Sequence, residues 1–190
     1  GPDIPISVFS IQTKVYTIVL SIVTGIVLGG QPIFGYNYGA KRMDRVREAY
    51  KIVLRATLIT GITATIIFQL WPKAVVGIFG SGNGLYQEFA VKTFRIYLSL
   101  MTVTCLVKMT AVFFQSIGKS KYAVMASVIR DIICFTPLAI ILPAILEGSE
   151  SGTGINGILY AAPISDLVAI AVIFVLTISF FRKLNKEIVI

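Results

Sequence analysis

The sequence predicts an all-α membrane protein in which five transmembrane helices occupy nearly the whole chain. Three observations predict it. Apolar residues make up 56% of the 190 residues and charged residues only 14%, with a mean hydropathy of +0.86, whereas soluble domains are roughly 45–50% apolar. The apolar residues fall into five runs, each long enough to cross about 30 Å of hydrocarbon at roughly 20 residues per helix. Lys and Arg gather in alternate loops, as the preference of cationic residues for the cytosolic side requires.

The first span covers about Ile6 to Tyr36. It is too long for a perpendicular crossing, so it tilts, bends or protrudes. Gly25, Gly29, Gly30 and Pro32 are its weak points, where a membrane helix kinks if neighbours or water satisfy the freed carbonyls. In Gly29–Arg47, GGQPIFGYNYGAKRMDRVR, the apolar run ends abruptly in positive charge and the helix reaches the cytosol. The second span, about Val46 to Trp71, stops at Trp71-Pro72, an interfacial aromatic followed by a helix breaker. Gly80–Gly84, GSGNG, marks a turn. The third span, about Phe89 to Ile117, ends at GKSK; the fourth, about Tyr122 to Leu146, follows through a tight hairpin and carries Pro137 and Pro143. The polar loop EGSESGTG, Glu147–Gly154, leads to the fifth span, about Ile155 to Phe181, closed by RKLNK.

The loop charges alternate as this count demands. Basic residues surround Lys41, Arg42, Arg45, Arg47 and Lys51, then Lys119 and Lys121, then Arg182, Lys183 and Lys186; Lys73–Glu88 is nearly neutral and Glu147–Glu150 acidic. Lys92 and Arg95 are the exceptions. The N-terminus is therefore expected outside and the C-terminus in the cytoplasm. The opening GPDIPIS lacks the features of a secretory signal, so a further crossing is expected upstream and the chain reads as a piece of a larger transporter. The net charge of +8 is accounted for by cytosolic flanks facing anionic headgroups rather than by nucleic acid. Cys105 and Cys134 sit in apolar stretches as inert thiols, and with no His in the chain neither a metal site nor enzymatic chemistry is expected.

Ionisable residues at depth cost several kcal/mol unless they face a cavity or a partner, which makes them the candidate functional groups. At about 1.5 Å per residue, Lys108 lies roughly 13 Å from the cytosolic end of its span. Arg130 and Asp131 lie at similar depth, Asp166 sits near the middle of the fifth span, and Lys14 occupies a matching position in the first. Five groups are thus expected in one layer, at the depth where transporters bind substrate and coupling ion. They serve either as a cavity site, with Asp166 as counter-ion, or as neutralising pairs: Arg130 with Asp131, and Lys108 or Lys14 with Asp166. Gln12, Gln115 and Asn37 are expected to bond between helices. Gln12, Thr13, Thr17, Ser21 and Thr24 form a polar stripe that either lines a cavity or packs closely against a neighbour.

Gln31–Arg42, QPIFGYNYGAKR, resembles the end of the first helix hairpin in the C-terminal lobe of MATE (multidrug and toxic compound extrusion) exporters, which commonly carry G-x-Q-P-[IL]-x-G-[YF]-N-x-G-A there. FFQSIGKS (Phe113–Ser120), RDIICFTPLAIILP (Arg130–Pro143) and GINGILYAAPISD (Gly154–Asp166) extend the resemblance over essentially the whole chain. It implies that the five spans form most of a six-helix lobe of a twelve-helix transporter. The lobe's opening helix and the N-terminal lobe would then be absent partners, beside the bilayer and small-molecule drugs.

The implied function is export of amphipathic, often cationic compounds in exchange for Na⁺ or H⁺ across the plasma membrane. Some branches place acids in this lobe, on its opening helix and on the span equivalent to Phe89–Ile117. Here that span carries Lys108 and no acid, so the resemblance implies that the coupling ion is bound mainly outside this segment, with no other cofactor. Two alternatives remain: a related lipid-linked oligosaccharide flippase, supported by Lys14, Lys108 and Arg130, and a non-transporting membrane partner subunit.

Overall fold

The computed structural model describes residues 3–79, 84–147 and 154–188, and among these it contains helices and no strand. Helix α1 (Asp3–Gly39) runs unbroken through Pro32. At about 1.5 Å per residue its 37 residues reach roughly 55 Å, well beyond the hydrocarbon thickness. It buries Val8, Gln12, Val15, Val19, Val23, Val27 and Phe34 along one face, the three- and four-residue spacing of an inward stripe.

The turn into α2 (Met43–Leu70) is closed by Arg42 N–H donating to the Asn37 carbonyl (2.9 Å) and Lys41 N–H to Tyr38 (3.1 Å). This paired ending needs one residue in the left-handed conformation, and Lys41 takes it at φ 56° although Gly39 stands two residues away. After Trp71 a short helix α3 (Pro72–Phe79) begins on the proline, whose missing N–H is no loss in a first turn. The expected GSGNG turn lies outside the described residues except for Gly84, which opens α4.

The expected third span is two helices, α4 (Gly84–Tyr97) and α5 (Met101–Ser116), bent by 47° at the break. A close approach sits at that break. A Cβ on Gly61 of α2 would stand 2.9 Å from Thr102 Cα, and Thr65 and Thr102 hydroxyls meet at 3.0 Å. Small residues and a hydroxyl pair bring membrane helices together where no hydrophobic force acts between them. The turn after α5 repeats the first: Gly118 is left-handed at φ 72°, with Lys119 N–H on the Phe114 carbonyl (2.8 Å).

The fourth span is continuous from Ser120 to Glu147 as α6 (Ser120–Val128), a π-helical segment (Ile129–Phe135) and α7 (Thr136–Glu147). Helix α8 (Gly154–Ile188) completes the lobe; the polar loop before it, 148–153, and the side chains of Lys183 and Lys186 lie outside the described residues. Four helices are long and apolar enough to cross a membrane, five counting α4–α5 as one bent span.

Helix α5 is the hub, buried on nearly every side. Near its C-terminal end Phe113 is fully buried and meets Phe34 (5.1 Å, edge-on), Tyr50 (4.7 Å) and Phe180 (5.9 Å), so one ring ties α5 to α1, α2 and α8.

Candidate functional site

Helix α8 presents Gly157, Ala161, Ser165 and Ala169 at four-residue steps, all buried. Their small size lets the chain behind them come close. A Cβ on Gly157 would stand 2.6 Å from the Leu142 carbonyl carbon of α7 and collide with Pro143. Beside Ser165, Asp166 is 2% exposed. At about 1.5 Å per residue it stands roughly 5 Å from the centre of the span Gly157–Arg182, and Arg130 about 4 Å from the centre of Ser120–Ile145.

The π-helical segment carries Arg130 and Asp131. Pro137 stands two residues beyond its end and lacks the N–H that would close an ordinary turn. The wider turn accommodates this, with both the Thr136 backbone N–H and its Oγ1 (2.8 Å) donating to the Asp131 carbonyl five residues back.

The guanidinium of Arg130 reaches three partners. Its Nε donates to Asp166 Oδ1 at 2.7 Å, Nη1 to Asp131 Oδ1 at 2.6 Å and Nη2 to Thr104 Oγ1 of α5 at 3.2 Å. Thr104 Oγ1 in turn donates to Asp166 Oδ2 at 3.1 Å, so both Asp166 oxygens are engaged. Charge-assisted bonds of this length offset the desolvation of the buried ions, which otherwise costs several kcal/mol each. The two carboxylates are unlike: the Asp166 side chain is 3% exposed and that of Asp131 56%. Tyr16 of α1 and Tyr97 of α4 stand within electrostatic reach of Arg130 and Asp166, and the amide of buried Gln12 lies beside Tyr97. Gln12 Oε1 has no hydrogen-bond partner among the described residues.

Of the five ionisable groups expected in one layer, the fold brings three together. Arg130, Asp131 and Asp166 meet, and Arg130, not Lys14 or Lys108, is the partner of Asp166. Lys14 and Lys108 are exposed on α1 and α5 and make no ion pair among the described residues. Depth along a span fixes a residue's height but not its azimuth. Lys108 and Gln115, seven residues apart and both exposed, mark the one open side of α5.

The polar stripe of α1 also divides. Gln12 lies on the buried face, whereas Thr13, Thr17 and Ser21 are exposed and donate to carbonyls four residues back in their own helix. Asn37 does the same, its Nδ2 donating to Ile33 at 2.8 Å, and Gln31 is half-buried. The interhelical bonds expected of Asn37 and Gln115 are made instead by Thr65 with Thr102 and by Gln69 Nε2 with the Arg95 carbonyl (2.9 Å). Thr104, Tyr16 and Tyr97 escaped the sequence reading, although Tyr16 follows Gln12 by one helical turn.

A lobe of apolar helices, one of them broken, around a charged cluster at mid-span defines a multi-pass helical membrane protein. The family model MatE matches residues 2–141, and the chain belongs to the MatE family. No curated relative matches it. Among solved structures it is similar to the MATE multidrug transporter DinF-BH (TM-score 0.77, 30% identity, 93% of this chain and 38% of that one). It is also similar in fold to an outward-facing MATE family multidrug transporter of the MOP superfamily (0.82, 17% identity, 98% and 40%) and to an inward-facing one (0.78, 16%, 94% and 40%). The chain spans about 40% of the length of the transporters it matches.

Proposed function

We propose that the chain is the C-terminal lobe of a plasma-membrane antiporter that exports amphipathic, often cationic compounds against entry of Na⁺ or H⁺, with its C-terminus in the cytoplasm. The observation that carries this is the cluster of one arginine between two carboxylates, at mid-span, in a chain of the MatE family. Asp166 is committed to Arg130 and Thr104. Asp131 keeps Oδ2 free of hydrogen bonds among the described residues and is the more open acid, able to attract a cation. The exposed stripe of Thr13, Thr17 and Ser21 with Lys14, and the open side of α5 at Lys108 and Gln115, face the cavity shared with the other lobe. The coupling ion itself binds mainly in that other lobe, because the buried acid here already holds a fixed cation. Exchange follows when drug and ion compete, each lowering the other's affinity.

A flippase for pyrophosphate-linked oligosaccharides needs several free basic groups in its cavity; Lys14 and Lys108 make no ion pair among the described residues, but Arg130, the basic group at the cluster, is neutralised by its two acids, so antiport is favoured. The test is efflux of the cationic dye ethidium by a two-lobe transporter carrying this chain, with the Na⁺ and pH gradients collapsed separately. Collapse of one gradient abolishes efflux, and Asp131→Asn weakens efflux of the dye. Efflux indifferent to both gradients overturns the antiport reading; a reading frame no longer than this chain favours the partner subunit.

A further inference from the structure

Between the ends of α1 and α2 nearest their turn lies a groove of about 430 Å³ that shares no residue with the Arg130 cluster. The helices touch at Gly30, where a Cβ would stand 2.9 Å from Val53 Cγ2. From there the lining changes character along the helix axes. Ile33, Ile52 and Val53 form an apolar trough, while Asn37, Arg42 and Arg45 stand at the end nearer the turn. Arg42 makes no ion pair among the described residues. Arg45 meets Glu48 of the same lining, but at 3.5 Å between side chains 69% and 63% exposed, a pair of little strength. Helix α2 starts at Met43 without a side-chain cap, and its partial positive charge, offset in part by Asp44 in the first turn, lies beside the arginines. An anionic head joined to an apolar tail matches both halves of this groove. Free phosphate would satisfy only one.

We propose that the groove binds one anionic phospholipid, its phosphate at Arg42 and Arg45 and the upper part of an acyl chain against Ile33, Ile52 and Val53. The turn that carries the arginines is also the most basic loop of the chain, so the lipid comes from the cytosolic leaflet. That last clause rests on the orientation given under the proposed function; the groove's chemistry does not.

The test is native mass spectrometry of the full transporter in detergent with added phosphatidylglycerol or phosphatidylcholine. One phosphatidylglycerol is retained per chain in preference to phosphatidylcholine. Arg42→Gln/Arg45→Gln weakens retention by about 30-fold, at roughly tenfold per 1.4 kcal/mol and about 1 kcal/mol per cation. Ile52→Trp, which fills the trough and keeps the charges, weakens it too, while Lys119→Gln/Lys121→Gln does not. Equal retention of the two lipids, or an equal loss in the Lys119/Lys121 variant, overturns the proposal in favour of unspecific surface charge. Displacement by millimolar inorganic phosphate with no effect of Ile52→Trp overturns it in favour of a free-phosphate site. Labelling of Lys41→Cys in intact cells by an impermeant thiol reagent would refute the orientation and leave the groove standing.

Discussion

Replacing Asp166 by Asn removes a buried charge and keeps the shape of its side chain. Arg130 then retains Asp131, which is 56% exposed and a weaker neutraliser. The amide nitrogen of the new Asn faces Thr104 Oγ1, which already accepts from Arg130 Nη2 at 3.2 Å, and the hydroxyl proton loses its acceptor. Breaking a buried pair by removing one partner costs about 3–5 kcal/mol. The lower end applies because Asp131 stays, so about 3 kcal/mol is expected, a factor of about 150 in the folded ratio. Arg130→Gln leaves two uncompensated carboxylates and costs at least as much. The double variant Arg130→Gln/Asp166→Asn carries no unpaired buried charge and lies within about 2 kcal/mol of the parent. Asp131→Asn costs less than about 1 kcal/mol because that pair is half in the open. Unfolding of the full transporter in mixed SDS micelles measures all four. If Asp166→Asn is no worse than Asp131→Asn, or if the two single effects simply add in the double variant, the buried-pair reasoning fails.

The two left-handed turn residues have opposite expectations. Gly118→Ala strains φ 72° and destabilises by roughly 1 kcal/mol, whereas Lys41→Gly relieves φ 56° and stabilises by a similar amount, both readable as shifts in thermal unfolding. Gly157→Leu forces α7 and α8 apart, since even a Cβ meets the Leu142–Pro143 backbone; a loss of about 3 kcal/mol or more is expected, against little change for Gly25→Leu, where a Cβ meets nothing within 4 Å. Phe113→Ala removes the ring shared by α1, α2, α5 and α8 and costs about 3 kcal/mol in packing, with cysteine cross-linking between α1 and α8 becoming promiscuous.

Hydropathy and loop charge made the spans legible because a bilayer constrains length and end charge so strongly. The starts and stops at Trp71-Pro72 and at Gly118 were readable for the same kind of local reason, a proline that cannot continue a helix and a glycine that can take positive φ. Local rules failed where neighbours compete. The third span looked continuous because its break at residues 98–100 carries no proline or glycine; the close Gly61–Thr102 approach lies at that break and is visible only once α2 is beside α5. The left-handed role falls to Lys41, two residues after Gly39, because the closing bonds of α1 run from the Lys41 and Arg42 N–H groups to the Tyr38 and Asn37 carbonyls.

The site divides in the same way. By itself the sequence determined that the chain is a helical membrane protein and which family it resembles, and it set the expected heights of Lys14, Lys108, Arg130, Asp131 and Asp166, because height follows from residue count along a helix. Only the tertiary structure decided which of them meet. Azimuth depends on the rotation and packing of each helix, and the small-residue face of α8 together with the wide turn at Ile129–Phe135 brings Arg130 onto Asp166 while leaving both lysines outside.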